Sequence, residues 1–268
     1  MTTFKKFLQM QISKEKRFIA TSILLSLGFI GINFVNESFR LLAILGLTIS
    51  TLVLFIFSLW EGLGINSTLL SLILPPLFTL GVGIFWFLIP ASIVAHLPVV
   101  VLFGVGIYVL NRTENVFTVS SFRTIPLFRA ARSIGFILTF LTAFLLYNAI
   151  ISIRVDIFIT SFGVFLISLF LFLQGFWASL IEKKDLVLNK LFLYSFVFAF
   201  GVMQVSILLY FWPVTVVVGS IFLTALIYVL LGLGQAQLEG RLFRQTVQEH
   251  LWVGLIVFVI MFLATHWG

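Results

Sequence analysis

The stretch from Gly62 to Asn111 constrains the fold most strongly, because it contains no Lys, Arg, Asp or Glu. A single membrane-spanning helix needs about 20 apolar residues, so this stretch is long enough for two spans joined by a turn. The rest of the chain agrees, since its mean hydropathy is +1.22 and only 9% of its residues are charged. The sequence therefore predicts that most of the protein lies in a membrane.

Apolar runs separated by polar breaks predict an all-α polytopic transmembrane helix bundle of about nine spans. Residues 1–17 are predicted to form a basic amphipathic segment on the cytoplasmic surface, because Phe4, Phe7 and Leu8 share one helical face. Residues 18–268 then form a single transmembrane helical domain. The predicted spans are 18–35, 41–60, 68–89, 91–110, 133–153, 157–181, 191–211, 213–233 and 251–267.

Charge fixes the predicted orientation of these spans. If the N-terminus is cytoplasmic, every inner connection except 61–67 is basic, and the outer connections hold only Arg40 and Arg154 of the 16 Lys and Arg residues. Basic residues accumulate in cytoplasmic loops of membrane proteins. The C-terminus is therefore predicted to lie outside, and the resulting location is a cytoplasmic (inner) membrane, with multiple passes.

Two proline features identify a candidate cavity or hinge. Pro75 and Pro76 fall inside the predicted span 68–89, where they remove two backbone donors. Pro98 interrupts the next span, so residues 90–98 form either a kinked span or a re-entrant turn. Uncharged polar side chains within spans serve either as interhelical hydrogen bonds or as a cavity lining. The candidate residues are Pro75, Pro76, Pro98, Asn148, Gln174 and Gln204.

The connection 111–132 alternates hydrophobic residues with arginines. Arg123, Arg129 and Arg132 are spaced to reach lipid phosphates, which predicts an interfacial segment held to anionic lipid at the cytoplasmic face. The alternative is a docking surface for a cytoplasmic partner. Further expected partners are the lipid bilayer itself and another membrane protein, whereas nucleic acid is not expected.

The sequence shows no arrangement of residues typical of an enzyme. It contains no Cys, and its acidic residues all fall in predicted connections or at span ends. No metal site, cofactor site or nucleophile–base pair can be drawn, because none of these groups is paired at helical spacing inside a span. Catalytic and metal-binding residues are therefore not assigned, and no cofactor is expected.

Residues Thr113-Glu-Asn-Val-Phe117 and the run from Arg123 to Thr139 carry a resemblance. This middle third of the chain resembles a segment found in an uncharacterised family of polytopic bacterial membrane proteins. The resemblance implies a bacterial cytoplasmic membrane. It implies no activity, ligand or site residue.

Three classes of function remain open from the sequence, and an enzyme is the least favoured of them. The scarcity of buried polar chemistry favours an integral membrane protein that acts as a non-enzymatic component or scaffold of an envelope assembly. The alternative is a transporter or flippase for an apolar or weakly polar solute that uses the broken span 68–89. A polar cavity would favour the second function, and a fully packed bundle would favour the first.

Overall fold

The computed structural model describes residues 13–64, 68–89, 93–121, 126–181 and 188–265. Within them it contains nine α-helices and no strand, which confirms the predicted all-helical fold. Eight helical segments are long and apolar enough to cross a membrane, which indicates a multi-pass membrane protein. The helices are α1 (Lys14–Gly31), α2 (Arg40–Leu59), α3 (Leu74–Trp86), α4 (Ile93–Ser120), α5 (Phe128–Ser152), α6 (Ile157–Leu180), α7 (Leu188–Tyr210), α8 (Val216–Glu239) and α9 (Arg244–Leu263).

The first helix, α1, differs from the other eight. Its first turn consists of Lys14, Glu15, Lys16 and Arg17. The sequence predicts a span at 18–35, but α1 is not among the eight described segments that are long and apolar enough to cross a membrane. A 3-10 turn, Ile32–Phe34, continues it. The predicted amphipathic segment ahead of α1 lies, up to residue 12, outside the described residues.

Consecutive helices run in opposite directions, so their ends gather into two groups. At one end, Arg17 of α1 meets Glu61 after α2, and Arg132 of α5 meets Glu239 of α8. We call this the basic end. At the opposite end, Trp212 after α7 donates a hydrogen bond of 3.0 Å to Thr265 after α9. Among the described basic residues, only Arg40 and Arg154 belong to the opposite end.

The centre of the bundle is α5, which packs against α3, α4, α6 and α8. Tyr147 of α5 is fully buried, and its hydroxyl lies 2.7 Å from the hydroxyl of Ser168 of α6. The last helix, α9, is peripheral. It packs on α8, and Met261 is its buried residue.

Polar side chains and one glycine define the helix ends. Asp156 precedes α6 and its carboxylate accepts a hydrogen bond of 2.8 Å from the amide of Phe158. Thr215 caps α8 in the same way, through the amide of Val218. Gly240 follows α8 with φ +71°, a left-handed conformation that glycine adopts without a steric penalty.

Pro75 and Pro76 begin a helix rather than interrupt one. The chain forms a 3-10 helix at Thr68–Leu72 and then enters α3 at Leu74, which places both prolines in the first turn of α3. Proline is tolerated there because the amides of a first turn have no partner within the helix. The sequence interpretation, which put the prolines well inside a continuous span, is corrected in this respect.

Helix α4 extends much further than predicted. It is continuous from Ile93 to Ser120 and includes Pro98 in its second turn, so this segment is a helical span rather than a re-entrant turn. It also includes residues 111–120, which the sequence analysis assigned to an interfacial connection. Several of these residues, Glu114 and Phe117 among them, are buried inside the bundle rather than exposed at an interface.

Candidate functional site

A buried carboxyl lies inside the bundle on α4. Glu114 has no exposed surface, although the sequence analysis placed every acidic residue in a connection or at a span end. It is six residues before the end of α4, or about 9 Å along the axis at 1.5 Å per residue. Its side chain faces α6, where Gln174 is also buried. The Gln174 amide nitrogen donates a hydrogen bond of 3.2 Å to Oε1 of Glu114.

The other carboxyl oxygen, Oε2 of Glu114, has no hydrogen-bond partner among the described residues. The same holds for Oδ1 of Asn111, one turn before Glu114, and for Nε1 of Trp177, one turn after Gln174. Unpartnered polar atoms in a protein interior are costly, so most buried polar groups are paired. Three such atoms within a turn of one hydrogen-bonded pair mark this place as unusual.

Aromatic packing holds the pair in position. Phe117 lies one turn after Glu114, and its ring contacts Trp177 of α6 edge-to-face, with ring centroids 6.3 Å apart. Phe128, at the start of α5, packs against Phe117 with centroids 5.9 Å apart. All three rings are buried, so they pack α4, α5 and α6 against one another beside Glu114.

A chain of polar side chains leads from Gln174 to the basic end. Gln174 lines a void of about 10 Å³ together with Arg132 of α5 and Gln235 of α8. This volume is close to the minimum that holds one water molecule. On the far side of the void, Arg132 donates a hydrogen bond of 3.3 Å to the side-chain carbonyl of Gln235. The amide of Gln235 donates to the backbone carbonyl of Gly175, at 2.9 Å.

The polar chain ends in an ion-pair network. Glu239, the last residue of α8, forms an ion pair with Arg132 and a second one of 2.8 Å with Arg241. The Glu239 side chain is only 7% exposed, whereas Arg241 is 68% exposed. The positive charge of Arg132 is therefore neutralised by Glu239. Gln174, which is bonded to Glu114, thus shares a void with Arg132 and Gln235, and Arg132 is joined through Glu239 to the exposed Arg241.

The six residues predicted to line a cavity or form a hinge occupy different environments. Gln174 and Asn148 are buried, and Gln174 is the one bonded to Glu114. Pro75 is buried and Pro76 half-buried at the start of α3, and Pro98 and Gln204 are exposed on the surface of the bundle. Gln204 therefore does not share the interior with Gln174.

The three arginines predicted to contact anionic lipid also differ. Arg129 is exposed in the first turn of α5. Arg132, one turn later, is bound to Glu239 and Gln235. Arg123 lies outside the described residues.

The sequence contains a pattern that indicates burial of Glu114, although no second acid is paired with it at helical spacing. Phe103, Ile107 and Leu110 are spaced as one face of a helix, and Glu114 and Phe117 continue the same spacing. The four apolar residues of this face are all buried. An acidic residue in register with a buried apolar face would have indicated an interior carboxyl.

Similarity to known proteins adds a family but no activity. A family model described as "Protein of unknown function (DUF5656)" matches residues 23–264. No curated protein and no solved structure matches the chain. The family match runs from the middle of α1 to the end of α9, so the chain belongs to the DUF5656 family, whose function is unknown.

Proposed function

We propose that the protein is a proton-coupled transporter for an apolar or weakly polar solute, with Glu114 as the group that takes up and releases the proton. The carboxyl of Glu114, buried in an apolar helical bundle with one oxygen unpartnered, carries this proposal. Ionisable side chains inside membrane domains are costly, and their usual uses are ion pathways and proton relays.

The polar chain lines the route for the proton, which moves on water, because neither an amide nor a guanidinium titrates near neutral pH. Gln174 holds Oε1 of Glu114, and the void beside Gln174 has room for one water between it and Arg132. Arg132 and Glu239 then lead to Arg241 at the surface. In this proposal the basic end faces the cytoplasm of a bacterial cell, because cytoplasmic ends of membrane proteins are rich in Lys and Arg.

The alternative is a non-enzymatic scaffold of an envelope assembly. The sequence favours it because buried polar chemistry is sparse, and Glu114 weakens that argument. The start of α3 also bears on the transport model drawn from the sequence. Ser71, Leu72 and Thr79 around the proline pair are buried side chains. The proposed route does not use them and involves α4, α5, α6 and α8 instead.

Anionic lipid at the basic end is part of the same proposal. We expect two residues to contact lipid phosphates: the exposed Arg129, and Arg123, six positions earlier in the sequence. Each should contribute about 1 kcal/mol to the free energy of membrane binding. Arg132 is proposed to act mainly through its ion pair with Glu239.

Carbodiimide labelling tests the proton-carrying role of Glu114. An apolar carbodiimide adds to a protonated carboxyl from within the membrane, so we expect a mass-spectrometric adduct on Glu114 whose yield falls as the pH rises. A water-soluble carbodiimide should instead label Glu15, which is 72% exposed. Absence of a Glu114 adduct at every pH would contradict the proposal.

The variant Glu114→Gln separates transport from scaffolding. Glutamine has nearly the same shape and still accepts a hydrogen bond from Gln174, but it cannot carry a proton. We expect the variant to accumulate at the wild-type level and to fail to complement a deletion strain. Full complementation would support the scaffold. Glu15→Gln is the matched control and should complement.

A further inference from the structure

A cavity at the opposite end of the bundle has the composition of a binding site. Its volume is about 740 Å³, within the range of small-molecule sites. The ends of four helices form it: the last turn of α5, the first turn of α6, the last turns of α7 and the beginning of α8. It therefore lies at the helix ends of the side opposite to Glu114. Along α6, Thr160 of the cavity precedes Gln174, the partner of Glu114, by about 21 Å at 1.5 Å per residue.

The walls of this cavity are of two kinds. Ile151, Leu209 and Leu223 are among the aliphatic residues that line it. Thr160 and Ser206 add hydroxyl groups, and both residues are buried. A ligand with an apolar body and a polar head would match both kinds of wall.

Among the described residues that line the cavity, Arg154 is the one with a formal charge. Among the described residues its guanidinium forms no ion pair. The nearest acid in sequence, Asp156, is engaged at the beginning of α6, where its carboxylate accepts the amide of Phe158. The described lining of the cavity thus presents a positive charge and contains no acid to balance it.

The backbone of Arg154 is also unusual. Its φ is +52°, and Arg154 is the one non-glycine residue with positive φ in the described part of the chain. L-residues enter the left-handed region at a cost that glycine avoids. Such strained positions are concentrated at ligand sites.

We propose that this cavity binds an anionic amphiphile, a carboxylate or phosphate group attached to an aliphatic chain. Arg154 pairs with the anionic head, and the aliphatic walls take the chain. A charge-assisted hydrogen bond from the guanidinium gives the anionic head its preference over a neutral one. This inference is independent of the role proposed for Glu114.

Fluorescence quenching tests the proposal, because Trp212 lines the cavity. The purified protein in neutral detergent is titrated with terminally brominated dodecanoate and, separately, with terminally brominated dodecanol. We expect dodecanoate to quench at an at least about tenfold lower concentration, the worth of one hydrogen bond to a charged group. The difference should disappear in Trp212→Phe, which removes the reporter. Equal quenching by the two compounds would overturn the proposal.

Three variants assign the preference to Arg154. Arg154→Gln should bind dodecanoate and dodecanol alike. Arg154→Gly should do the same while fitting the backbone at φ +52°, which keeps the test valid if the Gln variant folds poorly. The matched control is Arg40→Gln, which removes the other described basic residue of the opposite end, one that pairs with Glu37. A preference kept in Arg154→Gly, or lost in Arg40→Gln, would contradict the assignment.

Competition identifies the source of the anionic group. Inorganic phosphate should not displace brominated dodecanoate, and displacement by it would make the cavity a simple anion site and overturn the proposal. Displacement by phosphatidylglycerol but not by phosphatidylcholine would support a membrane lipid as the occupant. Resistance to both lipids would support a single-chain acid.

Discussion

Glu61 shows how single residues at the basic end are held. Its carboxylate accepts two contacts of 2.6 Å, from Lys14 and from Arg17, which join the start of α1 to the connection after α2. Partial burial raises the pKa of Glu61, but the hydrogen bonds and charges of Lys14 and Arg17 outweigh it and leave the pKa lowered. The ion pair therefore stabilises the fold once the carboxyl is ionised, and protonation removes this stabilisation.

The pH dependence of stability tests this contact. Because the pKa of Glu61 is lowered in the folded state, its contribution is present at neutral pH and is lost as the pH falls through the acidic range of the folded carboxyl. We expect Glu61→Gln to destabilise the protein by at most about 1 kcal/mol at neutral pH, because the pair is partly exposed. Thermal unfolding in detergent should show the difference shrinking towards acidic pH.

Glu37→Gln serves as its control. Glu37 pairs with Arg40 at 3.2 Å but is 86% exposed, so its loss should change stability little at any pH. A pH-independent difference between wild type and Glu61→Gln would mean that Glu61 acts through packing rather than charge.

At the scale of elements, glycines allow α3 and α4 to approach each other closely. A Cβ atom added at Gly106 of α4 would lie 2.6 Å from the ring of Phe78 of α3. That ring is buried and stacks on Phe103, with centroids 6.0 Å apart, so it has little freedom to move. The Gly-Val-Gly-Ile sequence in α4 thus serves helix packing, as small residues commonly do in membranes.

We expect Gly106→Ala to destabilise the bundle. Overpacking costs about 1–3 kcal/mol and the gain in helix propensity offsets about 1 kcal/mol of it, so the net loss should be at most about 2 kcal/mol. Denaturant unfolding measures it. Gly201→Ala in α7 is the matched control, because an added Cβ there meets no atom within 4 Å. Adding Phe78→Leu to Gly106→Ala should recover part of the loss, and strict additivity of the two changes would show that the contact does not limit the approach.

For the whole molecule, the helix ends form two groups, so the orientation in the membrane has only two alternatives. Since consecutive helices alternate, one reporter position determines the side of every other end. A reporter active in the cytoplasm should give signal when fused after Arg132 or Arg241 and none after Arg40 or Arg154, because the basic end is expected to face inwards. Signal after Arg154 and no signal after Arg132 would show that the orientation is the reverse of the one expected.

The sequence predicts the elements better than their ends and contacts. The pattern of apolar runs places a predicted span on each of the nine described helices, and eight helical segments are long and apolar enough to cross a membrane. It misplaces the end of α4 because residues 111–120 look exposed when taken alone. Their burial depends on Gln174 and Trp177 of α6, and such distant partners cannot be read from local composition. The position of Pro75 and Pro76 is similar, since hydropathy does not distinguish a 3-10 turn from the helix that follows.

The hydrogen bond between Glu114 and Gln174 also has a consequence for synthesis. Its two partners are 60 residues apart in the chain. The ribosome therefore makes α4, with the carboxyl of Glu114, well before it makes Gln174, whose amide donates the hydrogen bond. α4 is also the least apolar of the eight spanning segments. Until α6 has been made, the transfer of α4 by itself from the insertion machinery into the bilayer is unfavourable. We therefore expect α4 to enter the bilayer together with α6, which would make assembly of the central helices a concerted late event rather than a helix-by-helix addition.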